Sequence, residues 1–139
     1  MAGSFRIVPH IADTGLDVTA STFAELLETA AEGMFTLMFD LESLQPDDTV
    51  EVSATGYDAA DLVVGLLAEL ITVSDVTDVV PTAFTVTHLA PGSVRLRAST
   101  APRTGIPLLG PPIKAVTYHA LSVHNPEEGS WEARVIFDV

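Results

Sequence analysis

The chain contains no cysteine. That absence removes disulfides, thiolate nucleophiles and zinc–thiolate centres from consideration and is compatible with a reducing compartment. Positive charge is scarce as well: six Lys and Arg residues, a single lysine among them, stand against 19 Asp and Glu for a net charge of −13. A protein that grips phosphate backbones ordinarily carries a basic face, so direct nucleic-acid binding is not expected, and the acidity otherwise serves solubility. No apolar run approaches the ~20 residues that span a bilayer, and Met1–Arg6 lacks a signal-peptide pattern. The expectation is a cytoplasmic protein with no membrane association. Also missing are a Gly-rich phosphate loop, a His-Glu-x-x-His pair and a Gly-x-Ser-x-Gly elbow, which argues against an ordinary enzyme.

What is present suits one domain over residues 1–139, because 47% apolar against 18% charged residues supply enough buried surface to offset chain ordering. Phe23, Leu26, Leu27, Ala30, Ala31, Met34, Phe35 and Met38 recur at the spacing of one helical stripe, opened by a Thr22/Glu25 capping box. This helix dissolves near 39–44, and Pro46-Asp47-Asp48 reads as a turn. A second helix starts at Asp58, with Asp61 in its first turn and a stripe of Leu62, Val63, Leu66, Leu67, Leu70 and Ile71. Gly65 inside that stripe costs ~1 kcal/mol against Ala, which close packing of a neighbour would offset.

β-Branched alternation predicts strands over 5–8, 16–20, 50–55, 84–89 and 94–98, the last two joined at Ala90-Pro91-Gly92-Ser93. A longer hairpin should join 114–124 to 131–138 across the turn-rich Asn125–Ser130 segment. In its second arm Trp131, Ala133, Val135 and Phe137 share one face, with Glu132, Arg134, Ile136 and Asp138 on the other. Strands at both ends and two helices between them imply an α+β domain, a mixed or antiparallel sheet covered by two amphipathic helices. Residues 101–112 are too rich in Pro and Gly for a regular element, so this loop, with Ile106, Leu108 and Leu109, either folds onto the core or is held out for a partner.

Three places could carry chemistry. Pro9-His10-Ile11-Ala12-Asp13-Thr14-Gly15 lies between strand-like segments, so His10 and Asp13 should project from a loop at a sheet edge. Asp13 there is a hard oxygen ligand suited to calcium, magnesium or manganese, with His10 beside it; the alternative is a turn in which Asp13 caps local amides and Gly15 is left-handed. Lys114, the only lysine, should lie on a strand face beside Val116 and Tyr118, where it meets a carboxylate or phosphate or serves to discourage edge pairing. His119, facing the other side, is expected as a packing residue. Asp138 and the carboxylate of Val139 place two negative groups within one residue. Were strand pairing to bring them beside Asp13, an oxygen-only divalent site would follow, whereas a frayed terminus is the alternative. The acid pairs Asp58/Asp61 and Asp47/Asp48 are better explained by capping and turns.

Together these segments resemble the archease family over almost the whole chain. His10-Ile11-Ala12-Asp13-Thr14-Gly15 is similar to its N-terminal His-Thr-Ala-Asp motif, with Ile11 in place of Thr. Met34-Phe35-Thr36-Leu37-Met38 and Asp61–Ile71 resemble its two helices, with Ala68 where Asn is common. Most specific are Ile113-Lys114-Ala115-Val116-Thr117-Tyr118-His119 and the ending Trp131–Val139. The proline-rich, apolar 102–112 loop departs from the polar segment of the family. The resemblance implies an accessory protein, not an enzyme, that promotes guanylylation and turnover of the GTP-dependent RNA-splicing ligase of the RtcB type in tRNA splicing or RNA repair. It also implies Asp13, Asp138 and Val139 as ligands of a divalent metal, calcium with magnesium or manganese as alternatives. His10, Asp13, Lys114 and Asp138 become the positions of ligase activation. The other roles open to such a chain are a chaperone or adaptor for another RNA-modifying enzyme, such as a tRNA methyltransferase, and a metal-dependent hydrolase.

Overall fold

The computed structural model describes residues 3–10 and 13–139, with residues 8–10 and 13 described by their backbone alone. Among the described residues seven strands and two helices follow the order β1 (Ser4–His10), β2 (Asp13–Ala20), α1 (Phe23–Thr36), a 3-10 turn (Leu41–Ser43), β3 (Asp48–Thr55), α2 (Ala59–Thr77), β4 (Val79–Ala90), β5 (Ser93–Pro102), β6 (Ala115–Glu127) and β7 (Ser130–Asp138). The strands form two sheets rather than one, ordered β1-β2-β7-β6 and β3-β5-β4. All pairings are antiparallel, so the mixed alternative falls away and the α+β reading stands.

Both helices begin where short polar side chains can take up the orphan amides of the first turn. The Thr22 hydroxyl accepts the Glu25 N–H at 3.1 Å. At α2 the exchange is reciprocal: Asp58 accepts the Asp61 N–H at 2.8 Å and the Asp61 carboxylate accepts the Tyr57 N–H at 2.9 Å. The end of α2 is marked by Asp78 in the left-handed region at φ 56°.

Each helix touches both sheets, α1 against β2 and β4 and α2 against β3 and β6, so each buries more than a single stripe. Leu26, Leu27, Met34 and Phe35 of α1 and Leu66, Leu67 and Leu70 of α2 join Leu16, Leu96, Val135 and Phe137 in one core. Phe35 stacks on Phe84 with ring centroids 5.8 Å apart. Gly65 finds its neighbour in β3, where a Cβ would come within 3.0 Å of the Thr55 carbonyl oxygen. On the far side of α1, the Glu28 carboxylate reaches out to accept the N–H of Val86, in the edge strand β4, at 2.8 Å.

Strand ends differ from the sequence expectations where long-range pairing extends them. β5 continues to Pro102, and β6 runs through Asn125 and Pro126, leaving a tight turn in which Gly129 takes φ 79°. The segment after β5 is an irregular loop that lies on the end of α1, its Leu109 N–H donating to the Met38 carbonyl at 2.7 Å. Ile106 packs against the core while Leu108 and Leu109 stay exposed, so the loop both folds back and presents apolar side chains. Among the described residues no helix is long and apolar enough to cross a membrane.

Candidate functional site

The register of the first sheet determines which distant residues meet. β2 and β7 pair so that Asp13 stands opposite Asp138, and β1 pairs His10 with Asp13. On the other side of β7, Ala115 pairs with Asp138, and the Lys114 N–H donates to the Asp138 carbonyl at 2.8 Å. His10, Asp13, Lys114 and Asp138 therefore converge at one end of one sheet, although the chain separates the first from the last by almost its whole length. His10 and Asp13 do not project from a free loop as expected; their backbones form the last pair of the β1–β2 hairpin. The side chains of both lie outside the described residues.

Lys114 does not lie on a strand face. It precedes β6, which begins at Ala115, and its side chain is exposed, with no ion pair to any described residue. Asp138 is exposed as well, whereas Val139 packs partly against the core. Asp138 and the main chain at Val139 offer oxygen donors of the kind a hard divalent cation takes. Among the described residues no three His, Asp or Glu side chains form a group that could hold a metal, so any such set depends on Asp13.

Beside Lys114 a cavity of about 300 Å³ opens between the ends of α1 and α2, lined in part by Phe39, Ile71 and Arg103. The Arg103 guanidinium is fixed there by Asp75 at 2.8 Å and lies 5.5 Å from the centre of the Phe39 ring. Two of the six cationic side chains of the molecule thus border this opening.

A different feature of the same sheet has no counterpart among the sequence candidates. Asp17 in β2 pairs with Arg6 in β1 and with Arg134 in β7. Its carboxylate accepts from Arg134 Nε at 2.7 Å and Nη2 at 2.8 Å, and from Arg6 Nη2. The Arg134 hydrogen bonds, reinforced by those of Arg6, hold the Asp17 carboxyl down at about 2 against a desolvation that opposes them. The sequence placed Arg134 on one face of the C-terminal strand with Glu132, Ile136 and Asp138; its partners come from residues more than a hundred positions earlier.

Between these two parts of the sheet, Gly15 stands opposite Ile136. A Cβ on Gly15 would fall 2.6 Å from Ile136 Cδ1 and 2.8 Å from the Val135 carbonyl oxygen. Gly15 is not among the residues of positive φ, so its role is close packing, not the left-handed turn anticipated for it. Ile136, which alternates away from Val135 and Phe137, is fully buried as well.

β6 is irregular opposite this region. Its pairing jumps from Thr117–Ile136 to Ser122–Arg134, and Ala120 takes a left-handed φ of 51°. The irregularity turns His119 out to solvent, contrary to the packing role expected of it. It also presents Tyr118 to α2, where its hydroxyl donates to Asp61 at 2.6 Å. That bond lowers the Asp61 carboxyl, helped by the Tyr57 N–H, and raises the Tyr118 phenol.

Comparison with known proteins places this arrangement among relatives. The profile of the Archease protein family (MTH1598/TM1083) matches residues 5–139. "Protein archease" of Methanopyrus kandleri is 30% identical over 136 residues, covering 95% of this chain and 96% of its own. That of Thermoplasma acidophilum is 31% identical, covering 98% and 94%. The solution structure of Methanobacterium thermoautotrophicum protein 1598 superposes with a TM-score of 0.79 at 26% identity, covering 97% of this chain and 98% of that one. A crystal structure from Thermotoga maritima, described as an archease, possible chaperone, matches in fold with a TM-score of 0.66 at 19% identity over 95% and 94% of the two chains.

Proposed function

The chain belongs to the archease family, and on that premise we propose that it is an accessory protein of a GTP-dependent RNA-splicing ligase, promoting guanylylation of that ligase in the cytoplasm. The observation that carries the reading is the register of β1, β2 and β7 with the start of β6, which gathers His10, Asp13, Lys114 and Asp138 at one sheet end. In this reading Asp13, Asp138 and Val139 hold a divalent cation, with calcium preferred over magnesium or manganese because a carboxylate-rich sheet end suits a large, flexibly coordinated ion. The cation supplies positive charge at the docking face. Lys114, exposed and without a described ion-pair partner, is the group that contacts the ligase or its nucleotide.

The charge balance supports the same reading. A chain of net charge −13 approaches a basic RNA-binding enzyme quickly and does not compete with it for RNA. A second reading, a chaperone or adaptor for another RNA-modifying enzyme, draws support from the exposed Leu108 and Leu109 on the loop that leads to Lys114. The two separate in one experiment: GMP transfer onto a cognate ligase with substoichiometric wild-type protein or its Lys114→Ala variant. Stimulation by wild type that the variant loses supports ligase activation through this sheet end. Absence of stimulation by wild type refutes it and leaves the chaperone reading.

A further inference from the structure

A cavity of about 660 Å³ lies over the first sheet around the Arg6–Asp17–Arg134 group, four residues along β7 from Asp138. At about 3.3 Å per residue that is roughly 13 Å from the sheet end discussed above. We propose that this concave surface is a binding site for a small phosphomonoester. The proposal goes beyond the ligase reading and does not depend on it.

The first argument is the distribution of charge. A molecule with five arginines and net charge −13 repels anions over most of its surface, so an anion site requires cations gathered in one place. Two of those arginines line this single cavity. One carboxylate cannot neutralise two guanidinium groups, and each guanidinium carries five N–H donors. Asp17 engages only Nε and Nη2 of Arg134 and Nη2 of Arg6. Nη1 of both arginines has no protein acceptor among the described residues, and the carboxylate they share holds Arg134 through two nitrogens and Arg6 through one. A planar fork held in this way suits a tetrahedral oxyanion.

The second argument is the rest of the lining. Hydroxyls of Ser4, Thr19 and Ser122 and the imidazole of His124 border the same cavity, with Ser4 and Thr19 already hydrogen-bonded to each other at 2.8 Å. These groups match the hydroxyls of a sugar-like body attached to the phosphate. Glu132 is occupied by His124 at 3.1 Å, which restrains the one other carboxylate in the cavity. An ion-pair triad on a flat, solvated sheet would need neither the hydroxyls nor the concavity.

The third argument is the shape of β6. Its register jump between Thr117 and Ser122, with Ala120 at φ 51°, places Ala120 in the cavity wall. A left-handed alanine is strained, a strain that regular pairing along β6 would have avoided and that here shapes the cavity wall.

The experiment is an NMR titration of the intact protein with inorganic phosphate, ribose 5-phosphate and ribose, following Arg134 Nε–H and the His124 ring. The expected result is saturable movement with both phosphate-bearing probes, tighter for ribose 5-phosphate, and none with ribose. Arg134→Lys, which keeps the charge and loses the fork, should weaken binding about tenfold. Arg6→Ala, at a side chain 74% exposed, carries the same prediction and leaves both Arg134–Asp17 hydrogen bonds in place. Shifts that grow linearly and match those of sodium chloride at equal ionic strength overturn the proposal. So does tighter binding of inorganic phosphate than of ribose 5-phosphate, or binding that both variants retain in full.

Discussion

Replacing Asp17 by Asn tests the electrostatics of the first sheet directly. The substitution keeps the size of the side chain and removes the charge that two guanidinium groups share. A carboxyl held at about 2 rather than at its ordinary 3.8 corresponds to a ceiling of roughly 2.5 kcal/mol, at about 1.36 kcal/mol for each pH unit. Side chains of Arg6 and Arg134 are 74% and 42% exposed, so solvent screening reduces the expected contribution to roughly 1 kcal/mol. The sign follows from the depressed pKa. Stability is fully present above pH 3.8, where the unfolded chain is also ionised, and disappears as the pH falls towards 2. Urea unfolding of wild type and Asp17→Asn should therefore differ by roughly 1 kcal/mol at pH 7, by less in about 1 M salt, where the Debye length is about 3 Å, and by progressively less at acid pH. An equal difference at pH 7 and at the acid end, or one insensitive to salt, would refute the electrostatic account and point to lost packing.

Two other outcomes follow from the fold. Phe35→Ala removes a fully buried ring stacked on Phe84 and should lower unfolding stability by about 3–5 kcal/mol, measured by urea denaturation; a loss below the cost of a surface substitution would mean that α1 is not held between the sheets. Ultraviolet titration should find one tyrosine ionising above the normal range, and Asp61→Asn should bring that tyrosine, Tyr118, back down, since the Asp61 hydrogen bond is the first cause of its elevation. A raised tyrosine that survives Asp61→Asn would remove the link between β6 and α2.

Local chemistry was legible in the sequence and long-range pairing was not. Thr22 with Glu25 and Asp58 with Asp61 marked both helix starts because capping depends on residues three apart. The Pro91-Gly92 turn was readable for the same reason, with Gly92 at φ 78°. By contrast, the division of seven strands into two sheets depends on which edges meet, and alternation gives a face without naming its partner. The jump in β6 was invisible since 118–121 alternates no worse than its flanks, and that jump reversed the expectation for His119. Gly15 was misread because glycine signals both left-handed turns and close approach, and only the cross-strand position of Ile136 distinguishes them. Within the candidate site the residue types were visible, while the meeting of Asp13 with Asp138 required the β2–β7 register.

The Glu28 contact with Val86 bears on how the molecule stays apart from its own copies. β4 is an outer strand twelve residues long, the kind of edge that offers a ladder of donors and acceptors to any passing strand. A carboxylate from α1 already occupies one rung. An incoming strand would have to displace a charged acceptor and would bring the negative charge of a second acidic chain against it. Self-assembly along this edge is thus opposed by one side chain whose backbone belongs to a buried helix, so the protection lasts as long as the core itself.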